Sequence, residues 1–206
     1  MIFIKKKGNQ TYILANPVNI LETAAFVGPK EKEGPLHSYF DKCLEDEFWG
    51  EESWEKAETK ILRETINTCV SKSKLPSSSI DFCFAGDLLN QCISSSFGVR
   101  DSNIPFFGVF GACSTFAESL ILGSIVIDGD FAQNALCAAS SHFCSAEKQF
   151  RFPLELGNQR TPTSQWTVTG SGVVILSKSN NQSEDTLPKI TAFTPRKNCR
   201  YGNKRF

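Results

Sequence analysis

Short apolar runs at 80–86, 104–110, 135–140 and 166–176 alternate with longer segments, and this alternation most constrains the fold. Runs of this length without polar interruption suit strands buried on both faces, which need helices above and below them. The clearest helix lies at 53–72, where Trp54, Ala57, Ile61, Leu62, Ile66, Cys69 and Val70 recur at helical spacing. Glu51, Glu52 and Glu55 stand at its start, where the helix dipole favours negative charge. The broken patterning of 11–27 allows one or two strands, the segment after Cys113 reads as a helix, and 189–194 is a candidate last strand. The polar stretch 147–165 carries no clear period. Strands alternating with helices predict an α/β domain built on a parallel sheet with helices on both faces.

At 206 residues and 40% hydrophobic content, the chain is long enough for one sizeable core. Lys+Arg and Asp+Glu are both 22, so no net charge attracts a polyanion, and a nucleic-acid partner is not expected. The cysteines at 43, 69, 83, 92, 113, 137, 144 and 199 lack paired C-x-x-C spacing, so no metal site is predicted and most read as reduced core residues. In MIFIKKK the charges follow the apolar residues, the reverse of a secretory signal. The strongest apolar stretch, 120–127, is far short of the ~20 residues that span a bilayer. A soluble or peripheral protein is expected.

The string GVFGACSTFAESL at 108–120 places Cys113 between a strand-like run and a helix. In an open α/β sheet, ligands collect beyond the carboxyl ends of the strands, beside helix N-termini. Unpaired N–H groups there favour a thiolate or a bound carboxylate, so the position suits a nucleophile and an anion seat equally. Covalent catalysis also needs a base. His37 lies in a polar loop and reads as a surface residue; His142 follows a strand and reads as a structural or ligand-contacting group before a general base. Taken alone, Cys113 is as consistent with a small buried residue as with a functional one.

Five strings occur in order: GPKEKEGPL at 28–36, AGDLLNQ at 85–91, FGACST at 110–115, SSH at 140–142 with AEKQFRFP at 146–153, and QWTVTGSG at 165–172. Together they resemble the stage V sporulation protein AD family of spore-forming bacteria, from about residue 10 to 197. The resemblance implies a thiolase-like fold of which residues 1–197 form the N-terminal half. It also implies binding of dipicolinic acid, as its calcium chelate, for uptake into the developing spore, with no cofactor and no acyl turnover. Cys113 then falls at the thiolase nucleophile position, and the acid/base histidines of true thiolases belong to the second half. Dipicolinate is a flat ring with two carboxylates; Cys113, Ser114, Ser140, Ser141, His142 and Arg151 are the expected seat. Arg151 reads equally as a loop anchor, and Asp87 as a helix cap before a calcium ligand. Residues 143–145 (FCS) are bulkier and less polar than the family pattern. Implied partners are the membrane proteins of the stage V sporulation A operon, at the forespore or spore inner membrane. Two alternatives remain: an acyltransferase using Cys113 with histidines from another subunit, and a structural subunit that binds nothing.

The ending RKNCRYGNKRF at 196–206 is abruptly basic and has no apolar period. Removing one A from one back-translation of it gives Arg-Lys-Ile-Val-Asp-Met-Gly-Ile-Lys-Asp, which resembles how the family continues. Residues 198–206 are therefore expected to be out of frame, the alternative being a natural basic tail; the nucleotide sequence beyond codon 206 decides this. The second half is expected to pack on Phe116, Leu120, Ile121, Ser124 and Ile127, an obligate contact of roughly 1,000 Å² or more per side. The isolated chain is predicted to aggregate, to dimerise through that face or to be degraded. Size-exclusion chromatography is the check, and a stable monodisperse monomer contradicts the expectation.

Overall fold

The computed structural model describes residues 5–89, 91–150, 167–179 and 186–195. Its strands are β1 (Lys6–Lys7), β2 (Thr11–Val27), β3 (Lys42–Cys43), β4 (Phe82–Asp87), β5 (Phe106–Gly108), β6 (Asn134–Ser141), β7 (Gly170–Lys178) and β8 (Lys189–Phe193). Its helices are α1 (Pro29–Lys32), α2 (Trp54–Ser73), α3 (Ile93–Val99), α4 (Thr115–Asp128) and α5 (Phe143–Phe150). They form one sheet in the order β1-β2-β7-β6-β4-β5, with β3 and β8 also paired to β2.

The α/β alternation is present, but the sheet is mixed rather than parallel. β5, β4 and β6 run parallel, whereas β7 is antiparallel to both β6 and β2. The 11–27 segment is a single strand. It accommodates Pro17, which has no N–H for the ladder, because the pairing with β8 shifts register between Ile13 and Val18. α5 forms where no helix was predicted, starting right after His142 and running into the first residues of the polar stretch.

The central strands bury both faces, and alternate residues show which helix covers each. Cys83 and Ala85 of β4, Leu136 and Ala138 of β6, and Val173 and Ile175 of β7 pack with Leu62, Ile66 and Cys69 of α2. Phe84, Ala135, Cys137, Val174 and Leu176 point the other way and pack with Ile127 of α4. Each fully buried Leu, Ile or Val side chain contributes roughly 1.5–3 kcal/mol, so register is fixed from both sides. α2 begins at Ser53, whose side chain accepts from the Lys56 N–H (3.3 Å), and ends at Lys74 in the left-handed region (φ 59°).

Two expectations about burial change. Ser124 and Ile127 face the sheet and are buried, and Phe116 and Leu120 pack partly on the same core. The outward row of α4 is Ala117, Ile121 and Ile125, the last 44% exposed. A helix that is apolar nearly all round does not declare its inner face. Of the seven described cysteines, all free thiols, only Cys69, Cys83 and Cys137 are buried.

Gly86, near the end of β4, sits where any Cβ would overlap the Val109 carbonyl oxygen and press on Thr115 Cγ2 (2.8 Å). The strand therefore lies directly against the segment leading to Cys113. A Cβ at Gly172 on β7 meets nothing within 4 Å. Gly86→Ala is expected to destabilise by ~2 kcal/mol or more through overpacking, and Gly172→Ala to stay within ~0.5 kcal/mol. Denaturant unfolding monitored by circular dichroism measures both.

Candidate functional site

The strand directions bring Cys113, Ser114, Ser140, Ser141 and His142 to one edge of the sheet. β5, β4 and β6 all end there, Asp87 stands opposite Ser140, and antiparallel β7 begins there with Gly170 opposite Ser141. β2 arrives at the same edge, with Val27 opposite Gly170. β5 and β6 flank β4, so the segments that follow them leave the sheet about 10 Å apart.

Cys113 lies in a single 3-10 turn, Ala112–Ser114, directly before α4, and is exposed. The turn is tied back on itself: Gly111 N–H donates to Thr115 Oγ1 (3.0 Å) and Ser114 Oγ donates to the Gly111 carbonyl (2.8 Å). These bonds hold Ala112 at φ 46°, a conformation unfavourable for a residue with a Cβ. Glu118 stands in the first turn of α4, and a Cβ at Gly111 would lie 2.9 Å from its Oε2. A carboxylate therefore already sits by this helix N-terminus, where the dipole favours it. An anion arriving at Cys113 meets that charge unless it brings a cation.

The residues at the end of β6, and His142 after it, turn inward. Ser140 Oγ donates to Glu58 Oε1 (2.8 Å) and Ser141 Oγ to the Val168 carbonyl (2.6 Å). His142 is buried and stacks on Trp54. Its Nδ1 accepts from the Cys144 N–H (3.2 Å), which leaves the ring proton on Nε2 to donate to the Glu47 carbonyl (2.7 Å). Thus Cys113 and Ser114 are open to solvent, whereas Ser140, Ser141 and His142 share their edge but use their polar atoms within the chain. Arg151 lies outside the described residues. Phe143 opens α5; its N–H donates to Thr169 Oγ1 (3.0 Å), and Lys30 lies 5.7 Å above its ring.

Asp87 is a cap. Its carboxylate accepts from the Ser94 N–H (3.0 Å) and from Ser95 Oγ (2.5 Å) at the start of α3. His37 is exposed, with Nδ1 3.2 Å from the Gly34 carbonyl oxygen. Among the described residues, neither histidine is hydrogen-bonded to Cys113, and no group of three or more His, Cys, Asp or Glu side chains is placed to hold a metal. A groove of about 560 Å³ lies between Asn67, Ser71, Ser78 and Asn103, and one of about 380 Å³ between Lys56, Arg63, Phe97 and Arg100; neither includes Cys113.

Sequence reasoning missed Glu58 and Glu47. Glu58 was not singled out within the predicted helix, yet it is 1% exposed. Its signal was position: it lies one residue beyond Ala57 and three before Ile61, inside the apolar stripe of α2. Glu47 gave no signal, since its role depends on a loop meeting His142 and Thr169 from far along the chain.

The thiols differ sharply in environment. Burial pushes the Cys69 and Cys83 thiols up to about 12 and raises Cys137 as well. Thiolate is the reactive form. Under native conditions iodoacetamide should modify Cys113 at least ~100-fold faster than these three, and mass spectrometry of tryptic peptides reads the order.

The chain matches the family described as stage V sporulation protein AD (SpoVAD) over residues 8–204. It is 42% identical over 187 residues to stage V sporulation protein AD of Bacillus subtilis (strain 168), covering 91% of this chain and 55% of that protein. The chain thus spans about half the length of the curated relative it matches. Similar solved structures include OleA from Xanthomonas campestris (TM-score 0.55, 12% identity, 81% of this chain and 59% of that one). The 3-oxoacyl-[acyl-carrier-protein] synthases III of Thermus thermophilus (0.51, 12%, 79% and 52%) and Aquifex aeolicus VF5 (0.50, 14%, 80% and 55%) are also similar. These likenesses establish a thiolase-like fold. With the mixed sheet, the cysteine turn at its edge and a match along nearly the whole chain, the protein belongs to the stage V sporulation protein AD family, a family of sporulation proteins.

Proposed function

We propose that this chain supplies one wall of a site that binds dipicolinic acid, as its calcium chelate, for uptake into the developing spore. The exposed turn at Cys113 and Ser114 is the floor of that site. The carrying observation is the state of the histidines. A cysteine that forms and breaks acyl bonds needs a base beside it, and His142 has both ring nitrogens engaged elsewhere while His37 stays by Gly34. Within this half the exposed thiol therefore stands as a ligand contact, and turnover would need a base brought by the second half.

Charge supports the chelate over the free dianion. Glu118 beside the α4 N-terminus repels a bare dicarboxylate, and a calcium ion carried by the ligand reverses the sign of that interaction. The outward row Ala117, Ile121 and Ile125 runs along α4 from the turn and is the face on which a second half closes the site. Association with membrane proteins of the same operon is peripheral in this reading, since no helix among the described residues is long and apolar enough to cross a membrane.

Isothermal titration of the chain with calcium dipicolinate tests the proposal. Saturable heat is expected, with affinity reduced at least ~10-fold, or ~1.4 kcal/mol, after alkylation of Cys113. Incubation with radiolabelled acyl-CoA should leave the protein unlabelled. Absence of binding heat contradicts the ligand assignment, and an acyl group recovered on Cys113 contradicts the non-catalytic assignment.

A further inference from the structure

Two carboxylates lie buried together behind the site edge, and neither serves the proposed binding role. Glu58 comes from α2 and Asp87 from the end of β4, and they are 1% and 2% exposed. Ser140 Oγ donates to Glu58, and the Ser94 side chain is hydrogen-bonded to it as well. Asp87 takes the Ser94 N–H and the Ser95 hydroxyl. The polar groups placed around them are hydroxyls, a thiol and more negative charge: Ser140 from β6, Ser94 and Ser95 from α3, the Cys92 thiol beside Asp87, and Glu55 from α2 itself. No lysine or arginine among the described residues is ion-paired with either carboxylate.

The cluster is the anchor of α3. That helix is seven residues long, too short to persist without tertiary contacts. Its N-terminus is held by Asp87, and its far end presses on α2 at Gly98, where a Cβ would lie 3.1 Å from Leu62 Cδ2 and 3.3 Å from the Thr59 carbonyl oxygen. The same cluster adjoins the cysteine turn. Gly86, immediately before Asp87, is against the Val109 carbonyl and Thr115, and Cys92 Sγ lies 3.9 Å from the Val109 oxygen. Whatever displaces the end of β4 or the start of α3 therefore displaces the support of Cys113.

We propose that Glu58 and Asp87 form a proton-operated latch, closed while Glu58 is protonated and loosened when it ionises, which sets how firmly α3 and the adjoining Cys113 turn are docked. On ionisation the proton leaves to solvent, and two negative charges share a site that has hydroxyls but no cation to receive them. Burial first, and then the charge of Asp87, raise the Glu58 carboxyl from its ordinary 4.5 to about 7. A carboxyl held above its unfolded value binds its proton more tightly in the folded chain. Its stabilising effect is complete below the unfolded value and is lost as pH rises through the folded one. The window therefore runs from about pH 4.5 to just above 7, and the latch opens on the alkaline side.

Native-state hydrogen exchange of the full 206-residue chain, corrected for intrinsic rates, reads the latch at the α3 amides. Between pH 5 and pH 8 their protection should fall on the order of a hundredfold in the wild type. In Glu58→Gln, which keeps the shape and the hydrogen-bonding capacity without the charge, it should change less than ~3-fold. Ser140→Ala, which removes one hydroxyl that supports the ionised form, should lower protection at every pH and retain the fall. A wild-type profile that is flat, or a Glu58→Gln profile that falls as steeply as the wild type, overturns the proposal. Uniform loss in Glu58→Gln at all pH values also overturns it, because that marks Glu58 as only a packing residue.

Discussion

Burial of β4, β6 and β7 on both faces is the constraint from which the rest follows. Once Leu136 and Ala138 face α2 while Ala135 and Cys137 face α4, no one-residue slip is allowed, because it would exchange every contact on both sides at once. That register sets Asp87 opposite Ser140 and Gly170 opposite Ser141. It therefore decides which polar residues meet at the sheet edge. The site and the buried carboxylate pair are both consequences of the same pairing.

The edge is divided by function. On the β5 side the chain leaves the sheet through a strained turn that shows Cys113 and Ser114 to solvent. On the β6 side Ser140, Ser141 and His142 hold α2, the segment before β7 and the Glu47 loop in place. Such inward bonding is what physical chemistry requires of polar groups buried this deeply, since an unpaired one costs ~1–3 kcal/mol. The solvent-facing polar surface at this edge is consequently narrower than a tally of its polar residues suggests.

Much of the fold was legible in the residues. The helical stripe from Trp54 to Val70, the strand runs in β4, β6 and β7, and the strand-to-helix corner at Cys113 are all local patterns, and α2 begins one residue from its predicted start. Less legible was the direction of β7. Nothing in GSGVVILSK distinguishes parallel from antiparallel pairing, because a strand buried on both faces presents apolar residues throughout. The inner face of α4 failed for the same reason: Ser124 is buried and Ile125 exposed, contrary to their hydropathy, since the helix packs small residues such as Gly123 against the Cys137 thiol.

By itself the sequence determined the family, the α/β class, the position of the Cys113 thiol at a helix start and the reading of Asp87 as a cap, because each is written in local strings of residues. The tertiary structure alone decided that Glu58 is buried beside Asp87, that His142 spends both nitrogens on the chain, and that β7 runs antiparallel. Those outcomes join residues separated by dozens of positions, as in the 82 between Glu58 and Ser140 or the 95 between Glu47 and His142. A side chain's charge state and its freedom to meet a ligand depend on what packs around it, and only the folded chain supplies those neighbours.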